Sequence, residues 1–125
     1  MLDADGKVTR SGDPDATPIY SYMLAYDYNI NGGFPAWHAA ELPMIFGNMD
    51  DVSAMHDEEA ISLSDKMLDA WASFAHTGDP NHDGLPTWMP YTKDTRATMI
   101  FDKQCDVRND YDRELIALHQ KYLRK

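Results

Sequence analysis

Apolar residues fall into three kinds of pattern along the 125-residue chain. In Ile19-Tyr20-Ser21-Tyr22-Met23-Leu24-Ala25-Tyr26-Asp27-Tyr28 they run almost unbroken and are rich in aromatic side chains. This predicts a strand over about residues 18–28, covered on both faces as in the middle of a larger sheet. From Glu58 to His76 the apolar positions recur every three or four residues instead. Ile61, Ser64, Met67, Leu68, Trp71, Phe74 and Ala75 then share one face, which predicts a helix over about residues 58–76. Asp57 suits its N-cap, Glu58 and Glu59 suit the positive end of the helix dipole, and Gly78 with Pro80 close behind marks its end. Toward the C-terminus the patches shorten. Residues 97–102 read as a strand, and residues 104–109 as its hairpin partner through Asp102-Lys103. Residues 111–123 form a helix with Leu115, Leu118, His119 and Tyr122 on one side.

The intervening segments carry turn chemistry. Asn29-Ile30-Asn31-Gly32-Gly33 breaks the first strand, and a short helical turn from Ala39 to Phe46 is interrupted by Pro43. Residues 79–94 read as an ordered surface loop packed down by Pro86, Trp88, Pro90 and Tyr91. Residues 1–17, rich in Asp, Gly, Thr and Pro, read as a flexible lead-in, leaving 18–125 as one ordered unit. The order strand, loop, helix, strand, strand, helix places the chain in the α/β class. Two or three strands make a thin sheet, and the long first strand exposes its edges unless another chain or segment covers them.

Composition narrows the function. A formal charge of −10 excludes a nucleic-acid surface, which needs clustered Lys and Arg. No stretch approaches the roughly 20 apolar residues that span a bilayer, and Met1-Leu2-Asp3-Ala4-Asp5-Gly6 lacks the basic and apolar regions of a signal peptide. The single cysteine, Cys105, has no partner for an internal disulfide.

His38 is the residue best placed for chemistry. It lies in Phe34-Pro35-Ala36-Trp37-His38-Ala39-Ala40-Glu41-Leu42-Pro43-Met44-Ile45-Phe46-Gly47, on a loop directly after a strand, where α/β enzymes place catalytic groups. An imidazole titrates close to working pH and serves as a general base. Glu41 shares a helical face with it only if the helix begins at His38; it either orients the imidazole or anchors the loop by accepting hydrogen bonds. Trp37 and Phe34 either touch a substrate or anchor the loop. No serine or cysteine nucleophile motif occurs in the chain.

Asp79-Pro80-Asn81-His82-Asp83-Gly84 imitates the start of a calcium loop, but the twelfth position, which needs a bidentate acid, is Pro90. It reads as a solvated turn; Asp3, Asp5 and Gly6 fit such a loop still less. The histidines at 38, 56, 76, 82 and 119 show no zinc spacing, and no glycine-rich phosphate loop occurs, so no metal or cofactor is expected.

Three segments in order resemble one family. The segment Ala36 to Gly47 resembles the histidine motif of type B carboxylesterases, the group of p-nitrobenzyl esterases and cholinesterases. Trp71-Ala72-Ser73-Phe74-Ala75-His76-Thr77-Gly78-Asp79-Pro80-Asn81 is similar to that family's Trp-x-x-Phe-Ala-x-Thr-Gly-Asp-Pro-Asn helix end. Leu85-Pro86-Thr87-Trp88-Met89-Pro90-Tyr91 is similar to its Trp-Pro-x-Tyr segment, with Met89 in place of the first Pro. The resemblance covers roughly residues 18–123. It implies the C-terminal portion of an α/β-hydrolase, with His38 as the base of a Ser-His-acid triad and Glu41 in support. The serine on its Gly-x-Ser-x-Gly elbow and the acid would lie upstream. The partners implied are the remainder of the esterase domain and a small ester substrate. The chain alone is expected to be inactive and to self-associate through its uncovered strand. A non-catalytic structural or interaction module built on the same core is the alternative, and a calcium-binding module a remote third.

Overall fold

A computed structural model describes residues 18–52 and 57–123, with the backbone alone at position 123. The lead-in expected over 1–17 and the histidine at position 56 lie outside the described residues. The elements are β1 (Ser21–Leu24), α1 (Leu42–Ile45), a 3-10 turn (Met49–Asp51), α2 (Glu58–Thr77), β2 (Thr98–Phe101), β3 (Asp106–Arg108) and α3 (Arg113–Leu123). This is the α/β arrangement expected, with the elements in the expected order.

The three strands form one sheet in the order β1-β2-β3. β1 runs parallel to β2, with Ser21 opposite Thr98 and Leu24 opposite Phe101; β3 returns antiparallel, with Thr98 opposite Arg108. The ladder limits β1 to four residues, shorter than the 18–28 expected, because β2 offers only four partners. Beyond Leu24 one further bond continues it, from the Ala25 N–H to the Phe101 carbonyl at 2.8 Å. The strand buried along its whole length is β2, whereas Tyr22 and Met23 of β1 are exposed. Within this chain the first strand therefore shows the open edge expected of it when no further segment covers it. Lying between two partners is what buries β2, while β1 is the edge of this sheet.

α2 begins and ends where its caps require. The Asp57 carboxylate accepts the Ala60 N–H at 2.7 Å, and Gly78 closes the helix at φ +78° with its N–H on the Phe74 carbonyl. The buried stripe is Ala60, Leu63, Ser64, Met67 and Ala70, rotated by about a residue from the face read in the sequence. Leu68 and Phe74 flank that stripe and stay partly exposed. The stripe meets α1, where the Ser64 hydroxyl donates to the Met44 carbonyl at 2.9 Å and satisfies a buried polar pair.

Even-numbered tyrosines of the β1 segment point to the α2 side, as the two-residue strand period dictates. Tyr20 meets Phe74 edge-on at 5.9 Å, Tyr22 meets Trp71 at 5.0 Å, and the Tyr26 hydroxyl donates to Asp57 at 2.8 Å. α2 is thus fastened along its length to the strand that leads into the His38 loop. Pro43 does not interrupt a helix there. It sits in the first turn of α1, where a missing N–H breaks no helical bond.

Candidate active site

After β1 the chain stays extended as far as Tyr28. Reciprocal 2.8 Å bonds between the backbones of Tyr28 and Phe34 then close the Asn29–Gly33 turn. The Ala40 N–H donates to the Trp37 carbonyl at 3.1 Å, making a four-residue turn with His38 and Ala39 at its centre. Ala39 takes φ +66°, the left-handed value that the third position of a type II turn demands and that glycine usually supplies. A second bond, from the Leu42 N–H to the Ala39 carbonyl at 3.2 Å, leads into α1.

His38 is exposed at the corner of this turn. Among the described residues no hydrogen bond or ion pair engages its ring. Beside it the rings of Phe34 and Trp37 lie 5.8 Å apart and are 49% and 41% exposed. Phe34, Trp37 and His38 are therefore presented together. Glu41 is not part of that group. The helix starts at Leu42, so His38 and Glu41 share no helical face, and Glu41 makes no side-chain cap to α1. Its charge acts on Tyr22 and Tyr28 instead. Burial pushes the Tyr28 hydroxyl up to about 12, with the Glu41 and Asp57 carboxylates adding to the shift. Tyr22 moves in the same direction for the same first cause, with Glu41 second.

Two features of the site escaped the sequence reading. Tyr28, wholly buried, donates its hydroxyl to the Ala40 carbonyl at 3.0 Å, and its ring lies 4.9 Å from that of Trp37. Asp57, the expected cap of α2, is also the acceptor for Tyr26, and that second contact is what the sequence did not reveal. The tyrosines at every second position were the available signal, because such spacing aims them at one layer.

The other candidate segment closes on itself. Asp79 Oδ1 accepts both the backbone N–H and the side-chain amide of Asn81, at 3.0 and 2.6 Å, and these bonds hold its carboxyl below the usual range. The Asn81 amide also brackets Trp88, accepting its N–H at 2.6 Å and donating to its carbonyl at 2.9 Å. His82 Nε2 lies 3.0 Å from the Lys66 carbonyl while Nδ1 accepts the Gly84 N–H. Among the described residues no three His, Cys, Asp or Glu gather as a metal site.

A model of the carboxylesterase family matches residues 7–118, most of the chain and all of the site just described. The chain belongs to the carboxylesterase family. This carboxylesterase chain is 37% identical over 101 residues to the para-nitrobenzyl esterase of Bacillus subtilis (strain 168), covering 78% of this chain and 20% of that protein. It is 34% identical over 108 residues to carboxylesterase 4A of Bos taurus, covering 69% and 19%. Its fold superposes with a TM-score of 0.77 on an esterase from Clostridium hathewayi that hydrolyses aliphatic aromatic polyesters, at 40% identity over 83% of this chain and 21% of that one. A carboxylesterase of Geobacillus stearothermophilus superposes at 0.68 with 32% identity, covering 80% and 21%. These neighbours are α/β-hydrolase esterases. The carboxylesterase chain spans about a fifth of the length of each of these relatives.

Proposed function

We propose that this chain is the histidine-bearing C-terminal portion of a serine carboxylesterase, with His38 as the general base. The observation that carries the reading is the exposed imidazole at the centre of an anchored turn, on the loop leaving the C-terminal end of β1. In the reaction His38 takes the proton of a serine hydroxyl as it attacks the ester carbonyl, then returns that proton to the leaving alcohol. The serine and the acid that fixes the imidazole tautomer come from segments outside this sequence, which has no Gly-x-Ser-x-Gly. The exposed rings of Trp37 and Phe34 line the substrate side, and Glu41 supports the loop as the N-cap residue of α1, where its carbonyl accepts the Ile45 N–H at 2.9 Å.

Triad members act as a unit, so a chain with the base alone is inactive. Purified as 125 residues, it is expected to hydrolyse p-nitrophenyl acetate no faster than its His38→Ala variant. Extended upstream to include a serine elbow, it gains a rate that His38→Ala abolishes. A His38-dependent rate in the short chain overturns the division of labour; none in the long one leaves a non-catalytic module.

The remainder of the domain has a place to sit. No described strand pairs with the outer edge of β1, Tyr22 and Met23 are exposed beside it, and Leu115, Leu118 and Tyr122 of α3 are uncovered. Without that remainder the isolated chain associates with itself through these surfaces. Light scattering is expected to show mass rising with concentration, and a monomer throughout contradicts it.

A further inference from the structure

We propose that Tyr28 is a positioning residue for His38, one buried side chain that holds both ends of the turn presenting the imidazole. The proposal rests on the reading of His38 as the general base. The turn runs from Trp37 to Ala40, and Tyr28 touches it at each end: its ring lies 4.9 Å from the Trp37 ring, and its hydroxyl donates to the Ala40 carbonyl at 3.0 Å. Its backbone adds a third tie through the reciprocal bonds to Phe34, at the entry to the same loop. Tyr28 is itself immobilised, fully buried with its ring 5.2 Å from that of Tyr26 and its hydroxyl 3.8 Å from Met44 Sδ.

The turn needs such a clamp for two reasons. Ala39 sits at φ +66°, where an L side chain is strained, and such a conformation persists only when its surroundings over-determine it. The backbone between the anchored ends sets where the imidazole starts and which way its Cβ points, so any outside acid that fixes the ring acts on a side chain already aimed by this turn. A base displaced by an ångström loses much of its rate without any loss of basicity.

The test uses the complete polypeptide that carries this segment, assayed on p-nitrophenyl acetate. Tyr28→Phe keeps the ring and removes the donor; kcat is expected to fall roughly tenfold with KM within about twofold. Asn81→Ala, a destabilising change in the distant Gly78–Trp88 turn, is expected to leave kcat unchanged in the folded enzyme. Because Tyr28 acts through His38, the double variant Tyr28→Phe/His38→Ala is expected to be no slower than His38→Ala alone. Should Tyr28→Phe fail to fold, a trifluorotyrosine at position 28 preserves the shape but acidifies the hydroxyl; kcat then gains a falling alkaline limb as the donor ionises. A Tyr28→Phe enzyme with unchanged kcat, or a trifluorotyrosine enzyme with an unaltered pH profile, overturns the proposal while His38→Ala stays inactive. An active His38→Ala enzyme overturns instead the reading beneath it.

Discussion

Residues 78–91 and residues 29–41 are both long irregular connections, yet they are built in opposite ways. The first folds its polar side chains onto its own backbone: Asp79, Asn81 and His82 are each bonded within the chain, and Trp88 is drawn into the core. The second turns its imidazole and two aromatic rings outward and is held from behind by Tyr28. Their left-handed positions differ in the same sense. Gly78 takes φ +78° at no steric cost, whereas Ala39 takes φ +66° with a Cβ. A satisfied loop supports its neighbours; a loop with free groups and local strain is equipped to present something to a partner.

The contrast is open to attack, and the largest effect is expected in the satisfied loop. Asn81→Ala removes the side-chain bond to Asp79 and both bonds to Trp88, while its backbone N–H still reaches Asp79, and is expected to cost about 2–3 kcal/mol in a denaturant titration; a loss below roughly 0.5 kcal/mol would mean the turn needs no such network. Gly78→Ala forces a Cβ into the left-handed cap and is expected to cost about 1 kcal/mol. The reverse exchange, Ala39→Gly, relieves strain but frees the unfolded chain, so stability changes little while amide exchange around Ala40 speeds up. His38→Ala is smallest, within about 0.5 kcal/mol, because an exposed and unbonded ring carries no folding energy.

Alkaline titration sharpens the comparison from the other side. Tyr28, raised from 10.0 to about 12, and Tyr26, raised further by burial and Asp57, stay protonated in the folded chain after the unfolded chain has begun to ionise. Both contributions are complete below pH 10; that of Tyr28 is lost as pH climbs through 12 and that of Tyr26 at higher pH still. Thermal melts are expected to fall across that interval, less steeply in Tyr28→Phe.

Much of the fold was legible because it rests on local chemistry. Asp57 and Gly78 bracket α2 in the sequence as they do in space, since a cap needs only its own helix end. The extent of β1 was not, because a ladder is set by its partner and β2 is short. The face of α2 was displaced for a related reason: periodicity gives the width of an apolar stripe, while the neighbours α1 and β1 decide which part of it is sealed. Pro43 reads as a break only if the helix begins at Ala39; with the start at Leu42 it falls in the first turn, where a proline is at home. At the site, His38 stood out through its surroundings and the family resemblance. The Tyr28–Ala40 contact did not, since a hydroxyl reaching a carbonyl twelve residues away leaves no periodic trace, and an alanine gives no warning of a positive φ.

The parallel register joining Ser21 to Thr98 has a temporal consequence. On a ribosome the earlier strand emerges long before its mate, so the strand leading to the imidazole-bearing corner waits 77 residues, from Ser21 to Thr98, for its partner. A chain stopped ahead of Phe101 leaves the Ala25 amide without its acceptor and the corner without a floor. Residues 98–101 thus decide when residues 21–25 gain their sheet partner.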